Sequence, residues 1–311
     1  MKQAAHWDPR DDGKVHCRLC PHRCVIADGR TGLCGVRVNQ AGTLYAATYE
    51  QVTSVAMDPI EKKPLYHFHP GSQILSLGSR GCNFACQFCQ NWSISQAEAR
   101  TSRLPAAAAV QMALREGSVG IAYTYNEPLI WFEYVIETAT LARAEGLANV
   151  LVSNGYIEPE PFAELLPVID AINMDIKSIR PEFYRTLCGG TLEPVLRNAE
   201  TAARRVHLEV TTLVIPGHND TEEEFEELAA WIAGHLGPQV PAHLSAYVPR
   251  HKLQAPPTPT ETLERAYAIF NNRLDHVYLG NIHARVGSDT VCRQCGATLI
   301  ARRGYTIRVA G

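Results

Sequence analysis

Three cysteines, Cys82, Cys86 and Cys89, fall within the run Arg80-Gly81-Cys82-Asn83-Phe84-Ala85-Cys86-Gln87-Phe88-Cys89-Gln90-Asn91-Trp92. The C-x3-C-x2-C spacing puts three thiolates on one tight loop, enough to hold three irons of a cubane [4Fe–4S] cluster. The fourth iron then has no protein ligand and is open to a substrate or cofactor, whereas electron carriers usually close that site with a fourth cysteine. Such a loop is suited to chemistry at the metal rather than to simple electron carriage. A zinc knuckle completed from elsewhere is the competing reading, since zinc takes four ligands. Disulfides fit poorly, because an odd triad cannot pair internally and nothing marks the chain as secreted.

A loop of this kind needs a frame, and strand-like and helix-like segments alternate after it. Gln73–Ser79 reads as the strand that delivers the loop, followed by strands at Val119–Thr124, Asn149–Ser153, Ala171–Ile176, His207–Ile215 and Ala242–Val248. Between and after them lie helical patterns at Leu104–Glu116, Leu129–Glu145, Glu160–Val168, Leu192–Arg204, Thr221–His235 and Thr260–Leu274. Thr221 and Glu224 match a capping box. Six βα units in series predict an α/β fold with a parallel sheet closed into a partial barrel. Its active site is expected at the carboxyl ends of the strands.

Residues with chemical uses fall at those ends. Thr124, Asn126 and Glu127 follow the second strand, where a carboxylate and an amide can fix an ammonium group. Ser153 and Asn154 end the third, with a hydroxyl and an amide suited to ribose or carboxylate oxygens. Asp175 and Lys177 end the fourth on one face of the strand. His243 lies on the sixth. Any one of these could be a loop cap or a plain ion pair; their recurrence at successive tips is the signal.

Together the motifs make residues 60–285 resemble the radical S-adenosylmethionine (SAM) activases related to pyruvate formate-lyase activating enzyme, and among them the radical SAM enzymes of the AmmeMemoRadiSam system. The likeness rests on Ile60-Glu61-Lys62-Lys63-Pro64-Leu65-Tyr66-His67-Phe68, the cysteine loop through Trp92, Tyr123-Thr124-Tyr125-Asn126-Glu127-Pro128, Asn154-Gly155-Tyr156, Asn173-Met174-Asp175-Ile176-Lys177 and Pro256-Pro257-Thr258-Pro259. The resemblance implies a [4Fe–4S] cluster on Cys82, Cys86 and Cys89 with SAM chelated at the open iron. It implies Phe88 near the adenine, Asn126 and Glu127 at the SAM amine, where relatives carry Gly-Gly-Glu, and Asp175 with Lys177 in the same site. Thr124, Ser153, Asn154 and His243 complete the expected SAM set. The implied reaction is reductive cleavage of SAM to a 5′-deoxyadenosyl radical that removes hydrogen from a protein, as glycyl-radical activases do, or from a small molecule. The sixth strand departs from the relatives' His-Phe-Ser-Arg-Phe-His-Pro: here it reads His243-Leu244-Ser245-Ala246-Tyr247-Val248-Pro249. The lost arginine and histidine bear on the substrate more than on SAM.

Cysteines outside the loop predict a second metal. Cys17, Cys20, Cys24 and Cys34 form a C-x2-C-x3-C-x9-C set near the N-terminus, and Cys292 and Cys295 a C-x2-C pair near the other end. The N-terminal four could bind alone, or Cys17 and Cys20 could join Cys292 and Cys295 in a zinc ribbon. Structural Zn2+ and a second iron–sulfur cluster both suit the donors. Residues 1–59 and 286–311 are thus expected to be small cysteine-rich metal-binding extensions of a (β/α)6 radical SAM core at 60–285. Cys188, alone in Leu187-Cys188-Gly189-Gly190, reads as a packed thiol, with a catalytic role left open by its place after the fourth strand.

Composition fits an enzyme with a sizeable core: 311 residues, 46% hydrophobic. Lys plus Arg number 29 against 32 acidic residues, so no strong field advertises nucleic acid or an anionic membrane, and neither is expected as a partner. No apolar run is long enough to span a bilayer, and ten cysteines without a signal-like start argue for the reducing cytoplasm. The resemblance adds a flavodoxin or ferredoxin as reductant and a Memo-type or Amme-type protein as partner. The rival class is a non-enzymatic iron–sulfur or zinc scaffold that binds a partner.

Overall fold

A computed structural model describes residues 1–310. The chain forms two compact units, one of Met1–Asp58, Gln73–Ala85 and Asn91–Ile172, the other of Pro59–Ser72, Cys86–Gln90 and Asn173 onward.

In the first unit, β1 (Gln73–Gly78), α1 (Ala106–Arg115), β2 (Gly120–Tyr123), α2 (Phe132–Ala144), β3 (Ala148–Ser153) and α3 (Pro159–Leu165) follow one another. β2 runs parallel to both neighbours, with Ile121 opposite Leu75 on β1 and Asn149 on β3. All four residues of β2 are buried, as expected of a strand covered on both faces. Helix α1 forms because its alanines favour helix and because Ala106, Ala109, Val110 and Ala113 make one apolar stripe. The N-terminal region adds two small antiparallel sheets. One pairs Trp7–Pro9 with Val15–Cys17 and that strand with Val25–Ile26; the other pairs Thr43–Ala46 with Lys2–Gln3 and with Arg37–Gln40.

β4 (Ala171–Asp175) leads into the second unit, which continues with α4 (Glu193–Ala203), β5 (His207–Val214), α5 (Glu222–Trp231), β6 (Ala242–Ala246) and α6 (Thr260–Asn271). A further strand, β7 (Val277–Gly280), follows α6 and pairs in parallel with β6, setting Tyr278 opposite His243. Four residues ending in glycine were too short a run to read as a strand from sequence. At the start of α5 the Thr221 hydroxyl accepts the Glu224 N–H at 3.2 Å. The reciprocal arm of the expected capping box is absent, because the Glu224 carboxylate instead accepts the Ser178 hydroxyl. The C-terminal segment pairs Thr298–Arg303 with Thr306–Val309 and with Thr290–Val291. No helix of the described residues is long and apolar enough to cross a membrane.

Candidate active site

In the first unit the tips of β1, β2 and β3 bind one another through side chains. Glu127 is buried after β2, and its carboxylate accepts the Ser153 hydroxyl at 2.7 Å, the Asn154 N–H at 2.8 Å and the Leu129 N–H at 3.0 Å. Asn126 accepts the Ser79 N–H at 2.9 Å and donates to the Gly81 carbonyl at 3.0 Å. Asn154 in turn donates to Asn83 at 2.9 Å and lies 3.7 Å from the Cys82 sulfur. The Phe84 N–H also points at that sulfur, at 3.3 Å, so Cys82 sits among donors that suit a thiolate or a cluster ligand. Thr124 is buried and holds the end of β2 to β1 through its N–H and the Leu77 carbonyl.

Two backbone features show how tightly these tips are set. Tyr125 has φ of 70°, a left-handed conformation that a bulky residue adopts only under constraint. Its hydroxyl donates to Asp58 and its carbonyl accepts from Asn91. Gly81, at φ of 87°, has no room for a side chain: a Cβ there would lie 2.6 Å from the Cys34 carbonyl oxygen.

The second unit holds Cys86, Phe88 and Cys89 with the end of β4. Its loop segment is pinned by the Gln87 N–H donating to the Leu187 carbonyl and the Gln87 carbonyl accepting from Lys252 and Leu253, each at 2.9 Å. Lys177 pairs with Asp175 at 2.7 Å, and its ammonium lies 6.0 Å from the centre of the Phe88 ring. Burial alone would lower the Lys177 pKa, but the Asp175 carboxylate and the neighbouring sulfurs outweigh it and hold it well above the usual lysine range. Cys188, read from sequence as packed, has a more definite place. It donates to the Cys86 sulfur, which keeps the Cys86 thiol below its ordinary value despite burial, while burial pushes Cys188 itself up.

His243 is the exception among the expected SAM residues. It is the second residue of β6, at the amino rather than the carboxyl end of that strand. Its Nε2 binds the Glu209 carboxylate at 2.6 Å, and its ring packs edge-on to Tyr66. Glu209 is fully buried and also accepts from the Tyr66 and His67 backbone N–H groups and from His207. Arg302 closes this cluster, stacked over Tyr66 and donating to Thr290, which bonds Tyr278. The physical reason for this place is plain: a fully buried carboxylate needs donors, and His243 on the next strand supplies one.

Cys17, Cys20, Cys24 and Cys34 line one small cavity in the first unit. Burial pushes the Cys17 thiol up to about 11, with Arg37 working against it. Cys292 and Cys295 lie on their own turn, closed by the Gly296 N–H and the Cys292 carbonyl at 2.8 Å. Among the described residues no group of three or more His, Cys, Asp or Glu side chains is set to hold a single metal ion. Of the loop's thiols, Cys82 has two N–H groups turned to it, which suits a thiolate that ligates metal.

Sequence alone gives no role to Asn83 or Asp58, and no partner to Cys188. Asn83 lies between two of the three cysteines, and that position was its only advance signal.

Residues 77–232, half of the chain, match the Radical SAM superfamily. A protein of Methanocaldococcus jannaschii is 42% identical over 315 residues, covering 99% of this chain and 94% of its own length. The pyruvate formate-lyase-activating enzyme of Listeria monocytogenes is 27% identical over 165 residues, which span 49% of this chain and 66% of that enzyme. A radical SAM methyltransferase from Sphaerobacter thermophilus superposes with a TM-score of 0.54 at 16% identity, over 70% of this chain and 68% of that one. The fold is accordingly the family's α/β fold with a partial barrel-like parallel sheet, and the family implies a [4Fe–4S] cluster and SAM. By its sequence match, its cysteine loop and its fold, this chain belongs to the radical SAM superfamily.

Proposed function

We propose that the chain binds a [4Fe–4S] cluster through Cys82, Cys86 and Cys89 and SAM at the open iron, and abstracts hydrogen from a protein or small-molecule substrate. When bound, the cluster supplies the electron that cleaves SAM to a 5′-deoxyadenosyl radical. The remaining work falls to the chain. Asn126 and Glu127 orient the tips that receive the SAM amine, Ser153 and Asn154 present polar groups to its ribose or carboxylate, and Thr124 fixes the end of β2. Phe88 gives a flat apolar surface for the adenine, and Lys177 with Asp175 places fixed charge beside it. No side chain is needed as acid or base for this cleavage.

The observation that carries the reading is the three-thiol loop with Asn154 and the Phe84 N–H turned to Cys82. Similarity to the Listeria activating enzyme supports an activase-like substrate, a glycine of a partner protein. A Memo-type or Amme-type protein is the partner to try first, and a flavodoxin or ferredoxin the reductant. Ten cysteines with no disulfide among them support a reducing, cytoplasmic setting. A second metal on the N-terminal cysteines belongs to the same reading.

The test is anaerobic incubation of cluster-reconstituted protein with SAM and dithionite, reading 5′-deoxyadenosine. Product from the intact chain and none from the Cys82→Ala, Cys86→Ala, Cys89→Ala variant is expected. An intact, reducible cluster that yields no product would favour the partner-binding scaffold.

A further inference from the structure

The geometry points to His22 as a positioning residue for the cysteine loop: the N-terminal turn that carries it grips the backbone beside Cys82 and sets that sulfur for the cluster. The inference rests on the reading of Cys82, Cys86 and Cys89 as cluster ligands. It asks nothing of a metal on the N-terminal cysteines.

Asn83 follows Cys82 directly and is 3% exposed, so its polar groups need partners within the protein. Its side chain binds the end of β3 and the turn after it: Nδ2 donates to the Tyr156 carbonyl at 2.6 Å, and Oδ1 accepts from Asn154 at 2.9 Å. Its backbone carbonyl takes a donor from the N-terminal region instead, the His22 Nε2 at 2.7 Å. A carbonyl oxygen only accepts, so Nε2 carries the proton of this bond. Asn154 and the Phe84 N–H are also the donors turned to the Cys82 sulfur. A shift of Asn83 therefore moves the sulfur and its donors out of register together.

The turn that presents His22 is held under strain. Arg23 has φ of 45°, a left-handed conformation that is costly for a side chain of its size, and its N–H closes the turn on the Cys20 carbonyl at 3.0 Å. Fastenings on either side of His22 keep it there. The Leu19 carbonyl accepts the Glu158 N–H at 3.0 Å, and the Arg23 Nε donates to the Glu158 carboxylate at 2.8 Å. The His22 ring itself meets Tyr156 edge-on, with centroids 5.2 Å apart. The turn is thus fixed to the segment after β3 that also holds the Asn83 side chain, and His22 closes the triangle.

The N-terminal region also sets the residue on the other side of Cys82. A Cβ at Gly81 would lie 2.6 Å from the Cys34 carbonyl oxygen and 2.7 Å from a Val36 methyl. Both neighbours of Cys82 are therefore placed by residues 22–36, which form a wall of the cluster site rather than an appendage to it. Without the His22 donor the Asn83 carbonyl is left buried and unpaired. Loss of such a supporting group beside a metal ligand typically costs about 10–100-fold in affinity or activity.

The experiment compares the intact full chain with His22→Phe and His22→Gln, each reconstituted anaerobically and brought to matched iron content. SAM affinity is read by calorimetry, and the reduced cluster by EPR with and without SAM. His22→Phe keeps a ring against Tyr156 but has no donor; it should bind SAM roughly 10–100-fold more weakly and give an altered EPR signal. His22→Gln, whose amide can donate in place of Nε2, should stay close to the intact chain in both. If His22→Phe does not fold, His22→Asn takes its place, since its amide stands where Nδ1 was and does not replace the Nε2 donor. A lowered melting temperature with SAM affinity and EPR signal unchanged would overturn the proposal and leave His22 a structural contact. Equal losses from the Phe and Gln variants would overturn it too. An intact chain whose reduced cluster ignores SAM would refute the reading of the cysteine loop itself, and the proposal with it.

Discussion

Glu127 and Glu209 are both buried carboxylates, and the contrast between them separates a site from a support. Glu127 sits past the carboxyl end of β2 and takes its hydrogen bonds from the next tip and the turn after it, within reach of the residues that touch Cys82. Glu209 sits near the amino end of β5 and takes its bonds from two backbone N–H groups and two histidines, under aromatic rings and Arg302. Each satisfies the rule that a buried charge must be paired. What differs is the end of the strand: polar groups at the carboxyl ends of an α/β sheet are free to be chosen for chemistry, and those at the amino ends for stability.

The largest effect expected from breaking this contrast is Glu209→Ala. It strands His243 and two N–H groups and should cost about 3–5 kcal/mol of stability, read as a loss of melting temperature or of soluble protein. Glu127→Gln should be milder for the fold but should weaken SAM binding roughly 10–100-fold, as removal of a supporting group typically does; calorimetry on the reconstituted protein reads it. Equal loss of stability from both variants would dissolve the distinction.

Acid sharpens it further. Burial holds the His67 pKa down to about 4, below its ordinary 6.5. The folded state thus binds fewer protons than the unfolded chain, and this contribution is lost as pH falls from 6.5 toward 4. Glu209, in spite of burial, is held below the carboxylate range by His207 and His243, so its contribution is lost at lower pH in the same direction. Melting temperature should therefore fall on acidification; a profile that stays flat from neutral to well below pH 4 would count against the Glu209 cluster as a support.

The smallest effect belongs to Cys188→Ala. Removing its hydrogen bond to Cys86 should lower the cluster potential while cluster content and SAM affinity stay as they are. Loss of the cluster in this variant would make Cys188 a ligand instead.

Much of this was legible in the sequence. The alternation from Gln73 to Leu274 gave the order of strands and helices, since apolar runs and helical periodicity are local signals. The cysteine loop pointed to a chemistry through its spacing alone. The rest depended on distant pairs. Nothing near His243 in sequence reveals that it faces Glu209 across two strands, and Cys188 reaches Cys86 only through the fold. Glu224 showed a capping pattern, yet Ser178, 46 positions away, took its carboxylate. The N-terminal cysteines could be grouped in two ways by spacing, and only the fold shows that Cys17, Cys20, Cys24 and Cys34 line one cavity.

The most direct measurement is the rate of 5′-deoxyadenosine formation by folded Glu127→Gln and His243→Gln proteins at matched cluster content. The account predicts a fall of roughly 10-fold or more for Glu127→Gln and a rate indistinguishable from the intact chain for His243→Gln. Unchanged turnover by the first, or its loss in the second, would contradict it.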